Sequence, residues 1–201
     1  MPLAEWAHGE NALAPWSQFA EVRRRVEARD LAAAKALLQE IIATPDLESR
    51  HYLQAWNELR GLGIQPAAEA KQLLGVVVEV GLSEGLDLLA AYADRSARYC
   101  NFSGAAVIWE RPDASLDGEI DRLFQTAEVI LEQIGPWDGA RPPAPPRDHA
   151  RINMLTPAGI FFGQAPLRML ATDPLAGPAI AAATNRCKLS SRRLKAPNGD
   201  D

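Results

Sequence analysis

Three histidines, two cysteines and one polar strand hold most of the reactive chemistry this chain could offer. His8, His51 and His149 share no ligand spacing. His51 lies in a helical stretch with Glu48 and Glu58, but neither is four residues away, so no two ligands share one helix face. Cys100 and Cys187 belong to no CxxC and no Cys/His cluster, and lone cysteines read as reduced, buried small hydrophobes. Ser103 stands in Asn101-Phe102-Ser103-Gly104-Ala105, without the leading Gly of a GxSxG elbow. It also lies between two strand-like runs, where that elbow needs a strand-to-helix turn. A hairpin turn is the better reading. GxxxxGK[ST] and GxGxxG loops are absent. Asp113, Asp117, Glu119 and Asp121 gather at the start of a helix, where the dipole favours carboxylates without any metal. We therefore expect no catalytic residue, no metal site and no cofactor.

The polar strand is the remaining candidate. In ARYCNFSGAAVIWE, Ala97 to Glu110, alternation sets Tyr99, Asn101 and Ser103 on one face and Arg98, Cys100 and Phe102 on the other. Cys100 and Phe102 suit a core, which turns Tyr99 and Asn101 outward or toward an edge. Arg151 and Asn153 alternate with Ile152 and Met154 in the same way. If the two strands are neighbours, these side chains form one polar patch bordered by Trp109. The expected binding surface is thus Tyr99, Asn101, Ser103, Trp109, Arg151 and Asn153, a surface or shallow groove rather than an active site.

The elements that must position these residues follow from periodicity. Residues 1–16 read as a flexible leader, with no basic and apolar segments of a signal peptide. Ser17 is a plausible N-cap for a helix carrying Phe19, Val22 and Val26. Asp30 caps a second helix, with Leu31, Ala34, Leu37, Leu38, Ile41 and Ile42 on one face, and Pro45 ends it. A third helix spans about 47–62, and Pro66 can start a short fourth. From Gly75 the period changes: VVVEVGL, LDLLAAYAD, a strand from Ala97 and AAVIWE make a meander. Arg95 in the Asp94-Arg95-Ser96 connection favours a three-residue loop or bulge over a type I′ turn. Leu116 to Ile134 carries one unbroken apolar stripe, stopped by Gly135-Pro136. After a proline-rich loop, 135–149, come a hairpin turning at Thr156-Pro157-Ala158-Gly159, a short helix at Pro166 and a last helix containing Cys187. Residues 190–201 read as a disordered tail.

The resulting domain plan is a helical region, 17–74, followed by a sheet domain, 75–189. The fold class is α+β: an N-terminal helical hairpin, then an antiparallel sheet (β-meander, helix, β-hairpin, helix) with helices packed on one face. By analogy the layout is profilin- or roadblock-like.

Two resemblances accompany this reading. EARDLAAAKALLQEII, residues 27–42, is similar to one helix of a tetratricopeptide repeat, but no second copy stands near 34 residues away. LGVVVEVGL, LDLLAAYAD, ARYCNFSGAAVIWERPDASL, IGPWDGARPPAPP and RINMLTPAGIFFGQAP together resemble a family of uncharacterised bacterial proteins. The resemblance covers roughly half the chain. It implies one continuous domain and brings no activity with it.

Composition bounds the partners. With 201 residues and 47% hydrophobic content the chain can bury a core unaided. A net charge of -5 argues against a nucleic-acid partner. The basic residues Arg186, Lys188, Arg192, Arg193 and Lys195 have no aromatics among them and read as a solvated tail. No run reaches the length of a membrane helix, so a cytoplasmic protein without a membrane partner is expected. PPAPPR, residues 142–147, matches a PxxPxR pattern that aromatic grooves can read; a stiff loop covering the sheet or a helix is the better expectation. The function expected is a non-catalytic protein–protein interaction or regulatory module, with a protein partner or self-association. A small-ligand-binding sensory domain using the polar sheet face, and an enzyme of unfamiliar type, stand as alternatives.

Overall fold

The computed structural model describes residues 13–67 and 70–172. The last helix and tail read from sequence, together with His8, Cys187 and most of the leader, lie outside them.

Three helices come first: α1 (Trp16–Glu27), α2 (Leu31–Ala43) and α3 (Ser49–Gly61). Each carries an apolar face, and Phe19, Val22, Ala34, Leu38, Ile41, Ala55 and Leu59 meet in a core of their own. Asp30 caps α2 as expected, its carboxylate accepting from the Ala33 N–H at 3.2 Å. Trp16 packs on this core, so ordered structure begins before the end of the expected leader. The helix starts at Trp16 after Pro15, which leaves Ser17 inside it rather than capping it. No helix follows Pro66 among the described residues; the chain there runs irregularly into the sheet.

Six strands form one antiparallel sheet: β1 (Gly75–Gly81), β2 (Leu86–Tyr92), β3 (Ala97–Cys100), β4 (Ala106–Trp109), β5 (His149–Thr156) and β6 (Gly159–Pro166). Their order is β4-β3-β2-β1-β5-β6. The α+β class and the N-terminal helical hairpin stand as read from sequence. Helix α4 (Asp117–Gln133) covers one face through Ile120, Leu123, Ala127 and Leu131. These meet Val76, Val78, Leu89, Ile152 and Met154, the inward side of the pleat. Each such side chain contributes about 1.5–3 kcal/mol when fully buried. A short α5 (Leu167–Thr172) follows β6.

The β2–β3 connection is a three-residue loop. Arg95 N–H donates to Tyr92 C=O at 2.8 Å, and Tyr92 N–H to Ser96 C=O at 3.0 Å. Arg95 takes the left-handed position at φ 67°, where Gly is the usual choice. Its side chain explains the exception: it clamps Asp117 at 2.7 Å and Asp121 at 3.1 Å on the first turns of α4.

Asp94 in the same loop joins the two halves of the molecule. Its carboxylate accepts from the Ser49 N–H at 2.7 Å, and Ser49 Oγ accepts from the Asp94 N–H at 3.0 Å. Helix α3 has no side-chain cap of its own, so a residue from the sheet supplies one. At the other end of α3, Arg60 donates to the Pro157 carbonyl in the β5–β6 turn.

Candidate functional site

The expected polar patch does not assemble. Strands β3 and β5 are separated by β2 and β1, so Tyr99 and Asn101 are two strands removed from Arg151 and Asn153. The phase of β3 is also opposite to expectation. Tyr99 is 7% exposed and belongs to the α4-facing core, while Cys100 is half-buried and Phe102 is 50% exposed. The physical reason lies in the strand's length. It ends at Cys100, so Phe102 belongs to the turn and its side chain says nothing about the strand's inward face. Tyr99 can face inward because its hydroxyl donates to Asp87 Oδ2 at 2.7 Å.

Asn101 and Ser103 build the turn rather than a site. Asn101 Oδ1 accepts from Ser103 N–H at 3.1 Å, Ser103 Oγ at 2.8 Å and Ala105 N–H at 2.9 Å. Gly104 takes the left-handed position at φ 86°. Trp109 is half-buried against the α4-side core, away from any patch on the other face.

Arg151 and Asn153 do share a face with one another, the face opposite α4, but it is not open. The proline-rich segment crosses it as a strap. Arg151 is only 2% exposed. Its guanidinium donates to Gln164 Oε1 at 2.7 and 3.0 Å, to the Pro142 carbonyl at 3.4 Å and to the Pro143 carbonyl. It also pairs with Glu79 at 3.1 Å. Arg141 of the strap reaches the same Glu79 at 2.8 Å. Asn153 donates to the Val77 carbonyl at 3.1 Å. The expected ligand-facing side chains are thus engaged within the fold, and Arg151 has no guanidinium group left for an added anion.

Glu79 escaped the reading of residues one by one. Its signal was a lone carboxylate inside VVVEVGL; the β1–β5 register then sets it directly opposite Arg151. A charge pair this deep needs further partners to be tolerated: the strap carbonyls accept from Arg151, and Arg141 donates to Glu79 Oε1, while among the described residues Glu79 Oε2 has only its ion-pair contact with Arg151. Trp137 seals one end, stacking edge-on with Phe162 at 5.2 Å. A small cavity of about 140 Å³ remains beneath, lined by Val77, Trp137, Arg141, Asn153 and Phe162 among others.

The open features lie at the opposite side of the sheet. Among the described residues β4 forms an edge of the sheet, with no strand beyond it. Its sequence, Ala-Val-Ile-Trp, holds no charge and no proline. Ile108 is 59% exposed, and the adjoining turn presents Phe102. Asn101 N–H donates to Ala105 C=O at 3.0 Å. Alternation from that bonded pair turns the N–H and C=O of Ala106 and Ile108 away from β3.

Among the described residues no helix is long and apolar enough to cross a membrane, and no group of three or more His, Cys, Asp or Glu is arranged to hold a metal ion. No family model matches the chain, and no curated protein or solved structure matches it significantly.

Proposed function

We propose that this protein is a non-catalytic interaction module that receives an extended segment of a protein partner along β4. The observation that carries the reading is the edge that β4 forms among the described residues: a four-residue apolar strand with outward backbone groups, the exposed Ile108 on it and the exposed Phe102 beside it. Edge strands in soluble proteins are usually blunted by charge, proline or a bulge, because they template pairing. Here β4 has no charged or proline residue. An added strand would gain main-chain hydrogen bonds from Ala106 and Ile108 and an apolar contact from Ile108.

Area decides between partner classes. A four-residue strand is about 14 Å long. Pairing two copies of it symmetrically falls well short of the roughly 1,200 Å² that a stable interface buries. A flexible segment that continues past the strand onto Phe102 can bury more. Ile108→Pro is the informative variant, because it deletes the outward donor while sparing the pairing with β3. Tagged wild-type and Ile108→Pro proteins, both shown to be folded, are used to retrieve partners from native lysate. A partner held by wild type and lost by Ile108→Pro, whose contacting segment also binds as a synthetic peptide, supports the reading. Equal retrieval by both, or a wild-type protein that only pairs with itself, overturns it.

A further inference from the structure

A larger cleft opens where the helical region meets the sheet. It has a volume of about 660 Å³ and lies between the end of α2, the start of α3 and the β2–β3 loop. That is the size range of sites that take small organic ligands. Its walls are mixed. Trp56, Tyr52, Leu47 and Leu74 supply apolar and aromatic surface, and Asp46 and Asp94 supply two carboxylates. Among the described residues no Lys, Arg or His lines it.

The Asp94 charge is set in place by the fold. Asp94 is fixed by the Ser49 and Ser96 N–H groups. Burial opposes its charge, yet those hydrogen bonds outweigh burial and hold the carboxyl below its ordinary range. Asp46 is held at φ 60° just past α2, whose C-terminal carbonyls add negative potential. Tyr52 is pinned by its hydroxyl, which donates to the Thr44 carbonyl at 2.7 Å and accepts from the Leu47 N–H at 3.1 Å. An anion would meet two carboxylates and, among the described lining residues, no compensating base. A neutral apolar molecule would leave them unused. A cation with an apolar or aromatic body would use both, and the Trp56 and Tyr52 rings attract such a cation as well.

We propose that this cleft binds a small organic amine with an apolar body. It stands independently of the β4 reading. Tryptamine is the probe, and 3-(indol-3-yl)propionate, which carries the same ring with a negative charge, is the control. Binding is measured by calorimetry and by amide shifts at Asp46 and Ala93. Asp46→Asn keeps the left-handed backbone, which Asn tolerates, and removes one charge. Ala93→Lys places a cation in the wall at an exposed loop position. Both variants are checked for wild-type melting. The proposal expects saturable tryptamine binding, weakened about three- to fivefold by Asp46→Asn, in the range of an exposed ion pair, and abolished by Ala93→Lys. No saturable binding up to 10 mM overturns it. So does equal affinity for the propionate, or tryptamine binding that neither variant changes.

Discussion

Replacing Gly81 by Ala should lift the proline-rich strap from the sheet. A methyl group at Gly81 would lie 2.3 Å from the Pro146 carbonyl oxygen and 2.5 Å from that of Pro145. Both neighbours are backbone, so neither can swing aside. The strap must retreat by roughly 0.7 Å, from 2.3 to the 3.0 Å that real Cβ atoms keep. That motion strains the Asp148 N–H bond to the Gly81 carbonyl, now 3.0 Å, and loosens the Arg151 contacts to Pro142 and Pro143. Overpacking of this kind costs about 1–3 kcal/mol, and a lost hydrogen bond about 1 kcal/mol. The lower entropy of the unfolded Ala chain returns about 0.5–1 kcal/mol. The net loss is about 1–3 kcal/mol, or about 3–10 °C in Tm for a chain of this size. Trypsin offers a local readout. Arg141 precedes Pro142 and resists cleavage, whereas Arg147 precedes Asp148. Cleavage after Arg147 should accelerate in Gly81→Ala. Gly163→Ala, with nothing within 4 Å of its new methyl, should match wild type in both assays. A Gly81→Ala protein with unchanged Tm and unchanged cleavage would refute the packing argument.

Three further outcomes follow from the same contacts. Glu79→Gln leaves Arg151 buried without its countercharge and should cost about 3–5 kcal/mol in urea unfolding, whereas the double variant Glu79→Leu with Arg151→Met should recover much of that. Asp94→Ala removes the acceptors for the Ser49 and Ser96 N–H groups and should cost about 1–2 kcal/mol in urea unfolding, with Asp94→Asn, whose single amide oxygen can accept from only one of them, recovering part of that loss. His51 is 4% exposed, with neither ring nitrogen hydrogen-bonded, and sits edge-on to Trp16 at 4.9 Å. Burial holds its pKa below the usual imidazole range, with Glu48, Arg50, Asp94 and Arg98 as the charged neighbours. The unfolded chain therefore binds the proton more readily. The His51 contribution is complete above about pH 6.5 and declines as pH falls through the window below. Melting at pH 7.5 and 5.5 should show this loss, and His51→Phe should flatten it.

The element order was legible because each signal is local. The α4 stripe, the Asp30 cap and the Arg95 loop each depend on neighbours within a few residues. The site was not legible because it depends on strand order and strand ends. Alternation from Ala97 to Ser103 assumed one long strand. The strand stops at Cys100, and that termination moved Phe102 to the surface and left Tyr99 inside. Arg151 and Asn153 were correctly set on one face with each other. What covers that face was decided by the path of PPAPPR, and the expectation of a stiff loop over the sheet or a helix anticipated it in kind. Glu79 needed the β1–β5 register, which no single strand contains. The exposed edge of β4 was equally invisible, because being last in a sheet is a property of the assembled order.

The most direct test of the β4 reading is a photo-crosslinker placed at Ala106, which is exposed on β4. The protein is crosslinked in its native lysate and the attached peptide is sequenced. The account predicts one extended, apolar-rich segment from a different protein, and its loss when Ile108→Pro is added. Crosslinks that scatter over unrelated proteins, or that persist unchanged in Ile108→Pro, would contradict it.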